Sequence, residues 1–232
     1  MKKLILSIFI FLYSFSSINA IDLKEPAWVY QGLGDRYYRR GEIGKAIVAY
    51  KKALIRRKET KGNGTTIGFP EVNLKLGKIY LNEGLYDLAI TQLELAEKQK
   101  AFLQVPDLIY EILYTKAELF LVQEKYNDSI NVYQFIIKDD RNWDRYSKEN
   151  QYEIIKKFIK NKELQNKYGR AHFEIGKIKY ISKNFDNAIP HFKMAIMYQY
   201  KPELTVEYLV NCYEYLENHI MAERVIEIFK KI

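Results

Sequence analysis

Few side chains in this sequence could do covalent or metal chemistry. The histidines are His172, His191 and His219, and the single cysteine is Cys212. A helical metal pair needs ligands one turn apart, at i and i+4, so that both reach one ion. No two of these histidines have that spacing, and neither H-E-x-x-H nor C-x-x-C occurs. There is no G-x-S-x-G and no P-loop. Gly32-Leu33-Gly34 opens like a phosphate-binding turn, but G-x-G-x-x-G needs glycine at 37, where Tyr37 stands, and a strand before it. Carboxylates are plentiful but scattered. The sequence therefore points to no enzyme, no cofactor and no metal. The histidines read as structural, with His172 and His219 at helix-packing positions, and Cys212 reads as core.

Charge is the next candidate for chemistry. The formal net charge is +8. Most of it is local: between residues 35 and 61 the bases Arg36, Arg39, Arg40, Lys45, Lys51, Lys52, Arg56, Arg57, Lys58 and Lys61 face only Asp35, Glu42 and Glu59. A patch of Arg36, Arg40, Lys51, Lys52, Arg56, Arg57 and Lys58 could meet an anionic lipid surface, a polyanion or an acidic protein. The N-terminus narrows that choice. Lys2 and Lys3 precede an apolar run from Leu4 to Phe15, and Ser16-Ser17-Ile18-Asn19-Ala20 ends in a small residue. This is the pattern of a signal peptide over 1–20. The run is shorter than the roughly 20 residues that span a bilayer. The expected destination is export, in a bacterial cell the periplasm; an uncleaved N-terminal tether is the alternative. Export argues against nucleic acid as a partner.

The elements that carry these residues repeat. Taking Gly34 as an anchor, Tyr37 follows at +3, Ala46 at +12, Tyr50 at +16 and Ala53 at +19. Gly77 leads to Tyr80, Ala89, Leu93 and Ala96; Ala117 to Phe120, Ser129, Tyr133 and Ile136. Gly176 leads to Lys179, Ala188, Phe192 and Ala195; Val210 to Tyr213, Ala222, Ile226 and Phe229. Such a unit is two antiparallel helices. The anchor and the +12 residue are small where the helices come close, and the +3 and +16 residues fill the space between. Gly41 and Gly84, at +7, suit a left-handed helix end and a tight turn. One pair cannot bury its own apolar face, so pairs must stack.

Tyr30, Leu33-Gly34, Tyr37, Ala46, Tyr50 and Ala53 resemble the tetratricopeptide repeat (TPR) consensus, as do Leu76-Gly77, Tyr80, Gly84, Tyr86, Ala89 and Ala96. Lys179, Val210 and His219 depart from it. The resemblance implies an all-α fold: a right-handed α-solenoid of about five helix pairs plus one extra inserted helix. It implies one superhelical domain over 21–232, with repeats near 27–58, 70–101, 110–138, 169–200 and 203–232. The anchors are 43, 40, 59 and 34 residues apart, and only the last equals the family period. The largest excess, 139–167, holds Tyr152, Ile155, Phe158 and Ile159 at helical spacing and predicts an extra amphipathic helix near 147–162. A shorter excess maps to the glycine-rich loop 61–69. Pro190 is expected in the first turn of its helix, where proline is tolerated.

The resemblance also implies a use. In such arrays the first helix of each pair lines a groove that receives a peptide or partner helix. The register assigns to that surface Trp28, Gln31, Asp35, Tyr38 and Arg39, then Leu74 and Lys78, then Tyr114, then Phe173, Lys177 and Tyr180, and finally Asn211. The expected function is a non-enzymatic exported scaffold for protein or peptide partners in the cell envelope. The alternative is a peripheral membrane or polyanion binder using residues 36–61.

Overall fold

In the computed structural model of the chain, the described residues are 25–59, 68–146, 159 and 161–230. They form helices and turns, with no strand among them. The helices are α1 (Ala27–Arg39), α2 (Ile43–Glu59), α3 (Pro70–Asn82), α4 (Tyr86–Lys98), α5 (Leu108–Val122), α6 (Tyr126–Ile137), α7 (Arg141–Tyr146), α8 (Arg170–Ile181), α9 (Phe185–Met197), α10 (Pro202–Tyr215) and α11 (His219–Lys230). A helical turn, Lys162–Leu164, and a π-helical turn, Gln165–Gly169, lead into α8. No described helix is long and apolar enough to cross a membrane. The signal-peptide segment, most of the glycine-rich loop and the extra helix expected near 147–162 lie outside the described residues.

The chain divides into two compact units, the first up to Leu119 and the second from Phe120. In the first, α1 packs on α2, α3 on α4, and α2 on α3. In the second, α8 packs on α9, α9 on α10, α10 on α11, and α6 on α8.

Within each pair the repeat positions meet as their sizes require. A Cβ built on Gly34 would lie 2.5 Å from the Tyr50 ring, on Gly77 2.8 Å from Leu93, and on Gly176 2.7 Å from Phe192. The +16 side chain thus sits directly on its anchor glycine, closer than any Cβ permits. The +12 residues Ala46, Ala89, Ser129, Ala188 and Ala222 are all fully buried. Burying these faces removes apolar surface from water at about 25 cal/mol per Å², the main force holding the stack.

The turns between paired helices close identically. In each, the backbone N–H at +8 donates to the carbonyl at +3: Glu42 to Tyr37, Leu85 to Tyr80, Lys125 to Phe120, Asn184 to Lys179 and Asn218 to Tyr213, at 2.8–3.0 Å. This bond requires a left-handed residue at +7. Gly41 and Gly84 supply it with φ of 74°. Glu124, Lys183 and Glu217 adopt the same conformation at φ of 57–58° without being glycine. Pro190 departs from expectation: it lies inside α9, past the first turn that begins at Phe185, so the Asp186 carbonyl has no N–H to accept from it.

Candidate functional site

The first unit contains a cleft of about 450 Å³ lined by Asp35, Tyr38, Arg39, Tyr50, Lys75, Lys78 and Ile79. Four of these, Asp35, Tyr38, Arg39 and Lys78, were assigned to the groove by register. They come from adjacent first helices, α1 and α3, whose outward residues recur about every turn.

Asp35 is the hub. Its Oδ1 accepts the Tyr50 hydroxyl at 2.6 Å and the Lys75 ammonium at 2.6 Å, and its Oδ2 accepts Lys75 at 2.9 Å. Burial first, and then the bond to the Asp35 carboxylate, push the Tyr50 phenol well above its ordinary range, so it stays a donor. The Lys75 ammonium also stands over the Tyr50 ring, 5.8 Å from its centroid. Lys78 pairs with Glu111 of α5. Arg39 is exposed, and its Nε donates to the Asp35 carbonyl at 3.3 Å. Arg39 lines the cleft, and a guanidinium can hold a planar carboxylate by two bonds. Tyr38 beside it is 41% exposed and offers ring area at little conformational cost. The cleft therefore joins one exposed ring, one exposed guanidinium and a hydrogen-bonded Asp35–Lys75–Tyr50 cluster. Tyr50, Lys75 and Ile79 also line the cleft, and the repeat register does not point to them as site residues. The Tyr50 ring fills the space between helices on Gly34, as its register position requires, while its hydroxyl bonds Asp35 in the cleft.

Other expected groove residues lie elsewhere. Leu74, Tyr114 and Phe173 are buried, which corrects their assignment to an exposed surface. All three occupy the same register position, three residues before the anchor. Phe173 shows how it is covered: the rings of Tyr200 and Tyr208 pack 5.6 and 6.0 Å from its own, and Lys177 and Lys201 stand over it. Trp28 is exposed at the start of α1 and Gln31 is half-buried, and neither lines the cleft. In the second unit Lys177 pairs with Glu174 at 3.2 Å, Asn211 is half-buried, and Tyr180 packs against Phe185, Tyr208 and Tyr215.

The basic patch is less free than its sequence suggests. Arg36 and Arg40 are exposed. Lys51, Lys52, Arg56 and Arg57 are partly buried; Lys52 lies over Tyr30 and Arg57 over Phe69, and burial lowers the Lys51 ammonium below its usual range. Lys58 lies within α2.

Among the histidines, His172 is fully buried but His219 is exposed and bonds Glu214 at 2.7 Å, which corrects its assignment to packing. Cys212 is buried, and burial pushes its thiol up to about 12. Among the described residues no three His, Cys, Asp or Glu side chains are grouped to hold a metal ion.

No family model and no curated protein matches this sequence. Solved structures do. BtubC from P. vanneervenii superposes with a TM-score of 0.60 at 18% identity, over 87% of this chain and 77% of that one. MamA from Desulfovibrio magneticus gives 0.59 at 16%, over 88% and 96%. A Podospora anserina kinesin-light-chain-type protein of nearly identical TPR-like repeats gives 0.56 at 13%, over 90% and 96%. At these identities the likeness is one of fold: the chain has the all-α helical-repeat architecture of TPR-like proteins.

Proposed function

We propose that this protein is a non-enzymatic scaffold that holds a protein or peptide segment in the cleft between α1 and α3. The observation that carries the proposal is the juxtaposition of exposed Tyr38 and Arg39 over a floor already fixed by Asp35, Lys75 and Tyr50. A fixed floor reduces the ordering cost of binding, and an aromatic beside a guanidinium is the composition of a binding hot spot. The TPR-like fold supports the same reading. From the signal-peptide pattern we place the protein outside the cytoplasm, with envelope proteins as its partners. Crosslinking in the source cells followed by mass spectrometry tests this: specific partners should be recovered, and lost from Tyr38→Ala and Arg39→Ala. Retention of every partner by both variants would remove the cleft from the function.

A second reading rests on exposed Arg36 and Arg40: contact with an anionic lipid surface or polyanion. It predicts salt-sensitive binding to vesicles containing an anionic lipid, abolished by Arg36→Glu with Arg40→Glu. Binding that ignores both salt and charge reversal would remove it.

A further inference from the structure

The second unit buries a polar network that the proposed function does not use. Asp140, in the turn after α6, is 1% exposed, His172 of α8 is 0% exposed and His191 of α9 is 6% exposed. The Tyr198 hydroxyl donates to Asp140 Oδ1 at 2.5 Å, and the Asn142 backbone N–H to the same oxygen at 3.0 Å. His172 Nε2 lies 3.2 Å from Asp140 Oδ2, and His172 Nδ1 lies 3.0 Å from His191 Nδ1. Trp143 of α7 covers the pair, stacked on His191 at 4.6 Å and tilted on His172 at 4.9 Å. The Asn142 amide also donates to the Tyr198 hydroxyl at 3.0 Å.

Counting protons shows what this arrangement tolerates. An ionised Asp140 can only accept, so His172 carries its proton on Nε2. Its Nδ1 is then a lone pair, and His191 must donate from Nδ1. The chain Tyr198–Asp140–His172–His191 is complete with both rings neutral. One added proton can sit on His191 Nε2 without breaking a bond. A second would set N–H against N–H at 3.0 Å, with two cations in a buried site. Asp140 favours the cation on His172, while a charged His172 and then Lys179 of α8 oppose the cation on His191. The helices α6 and α10, which also pack on α8, contribute none. From the π-helical turn, the Tyr168 hydroxyl approaches the Asp139 carbonyl at 3.4 Å. Burial first holds both rings below the ordinary imidazole range, His191 well below it.

The network is also a fastening. Through Asn142 and Trp143 it holds the first turn of α7. Separate bonds hold the residues before α8: Ile159 N–H donates to the Met197 carbonyl at 2.8 Å, and the Gln165 amide donates to the Gln199 carbonyl. Loss of the histidine contacts would free α7 and leave the bonds of Ile159 and Gln165 in place.

We propose that Asp140, His172, His191 and Tyr198, capped by Trp143, form an acid-sensitive clasp that holds α7 against α8 and α9 and releases it when both imidazoles become charged. Where both rings are neutral when clasped and charged when released, the clasped-to-released ratio falls by up to about a hundredfold per pH unit. This exceeds what a single surface histidine can give.

Trp143 reports the clasp once the other tryptophan is removed, so the full chain carrying Trp28→Phe is titrated between about pH 8 and pH 5. The expected result is a several-fold rise in acrylamide quenching of Trp143, steeper than one proton, with helical circular dichroism largely kept. His191→Phe keeps a ring under Trp143 but removes one titrating group; it should reduce the transition to one proton or abolish it. Hydrogen exchange of the α7 amides should follow the same profile in the parent chain, which keeps the test readable if the variant folds poorly. A Trp143 signal unchanged across the range would overturn the proposal. So would loss of all helicity at the same pH, or an unaltered transition in His191→Phe.

Discussion

Gly34→Ala isolates the packing rule on which the fold rests. An alanine Cβ there would lie 2.5, 2.6 and 2.9 Å from three carbons of the Tyr50 ring. Ordinary carbon contacts are about 3.5–4 Å, so the ring must retreat by roughly 1 Å. It has little room: Tyr50 is 1% exposed and its hydroxyl is fixed on Asp35 at 2.6 Å. Overpacking of this kind costs about 1–3 kcal/mol, and straining a hydrogen bond to a carboxylate adds about 1–2 kcal/mol. The better helix propensity of alanine returns about 1 kcal/mol. The net expectation is a loss of about 1–4 kcal/mol. Gly32→Ala, two residues earlier in the same helix, meets nothing within 4 Å and should stabilise by about 0.5–1 kcal/mol. Urea unfolding, with hydrogen exchange of the buried α1 and α2 amides, should therefore separate the two variants by about 1.5–5 kcal/mol. Equal stability of Gly34→Ala and Gly32→Ala would show that Tyr50 is not seated on Gly34.

Three further predictions follow from particular residues. Lys183→Gly or Glu217→Gly relieves a left-handed backbone and should raise stability by about 0.5–1 kcal/mol in thermal or urea unfolding, since the side chains are exposed. His172 and His191 are depressed when folded, so below about pH 6.5 the unfolded chain binds more protons; stability should be full above that pH and fall below it by up to about 1.4 kcal/mol per pH unit for each ring, read from urea midpoints against pH. Tyr50→Phe removes the donor to Asp35 while keeping the ring on Gly34, and should cost about 1–2 kcal/mol in urea unfolding without the steric effect of Gly34→Ala.

The helix pairs were legible because their signal is steric and local. Only glycine fits opposite Tyr50 or Phe192, and only alanine or serine fits fully buried at +12, so residue size reports the contact directly. The three turns at Glu124, Lys183 and Glu217 were not legible, since backbone hydrogen bonds enforce the left-handed residue whatever its side chain. Register placed Tyr38, Arg39 and Lys78 on one surface but misjudged Leu74, Tyr114 and Phe173. A helical wheel says which way a side chain points, and not how far the next helix covers it. The polar cluster gave no local sign at all: Asp140, His172 and Tyr198 are 32 and 58 residues apart along the pairs that bond, and only tertiary folding joins them.

The scaffold proposal meets its most direct test in site-specific photocrosslinking from the cleft. A photoreactive phenylalanine replaces Tyr38 in the cleft or, as a control, Leu95, an exposed residue of α4 outside it. Adducts to a defined set of protein partners from position 38, and none of those from position 95, are the predicted result. Equal adducts from both positions, or none from position 38, would contradict it.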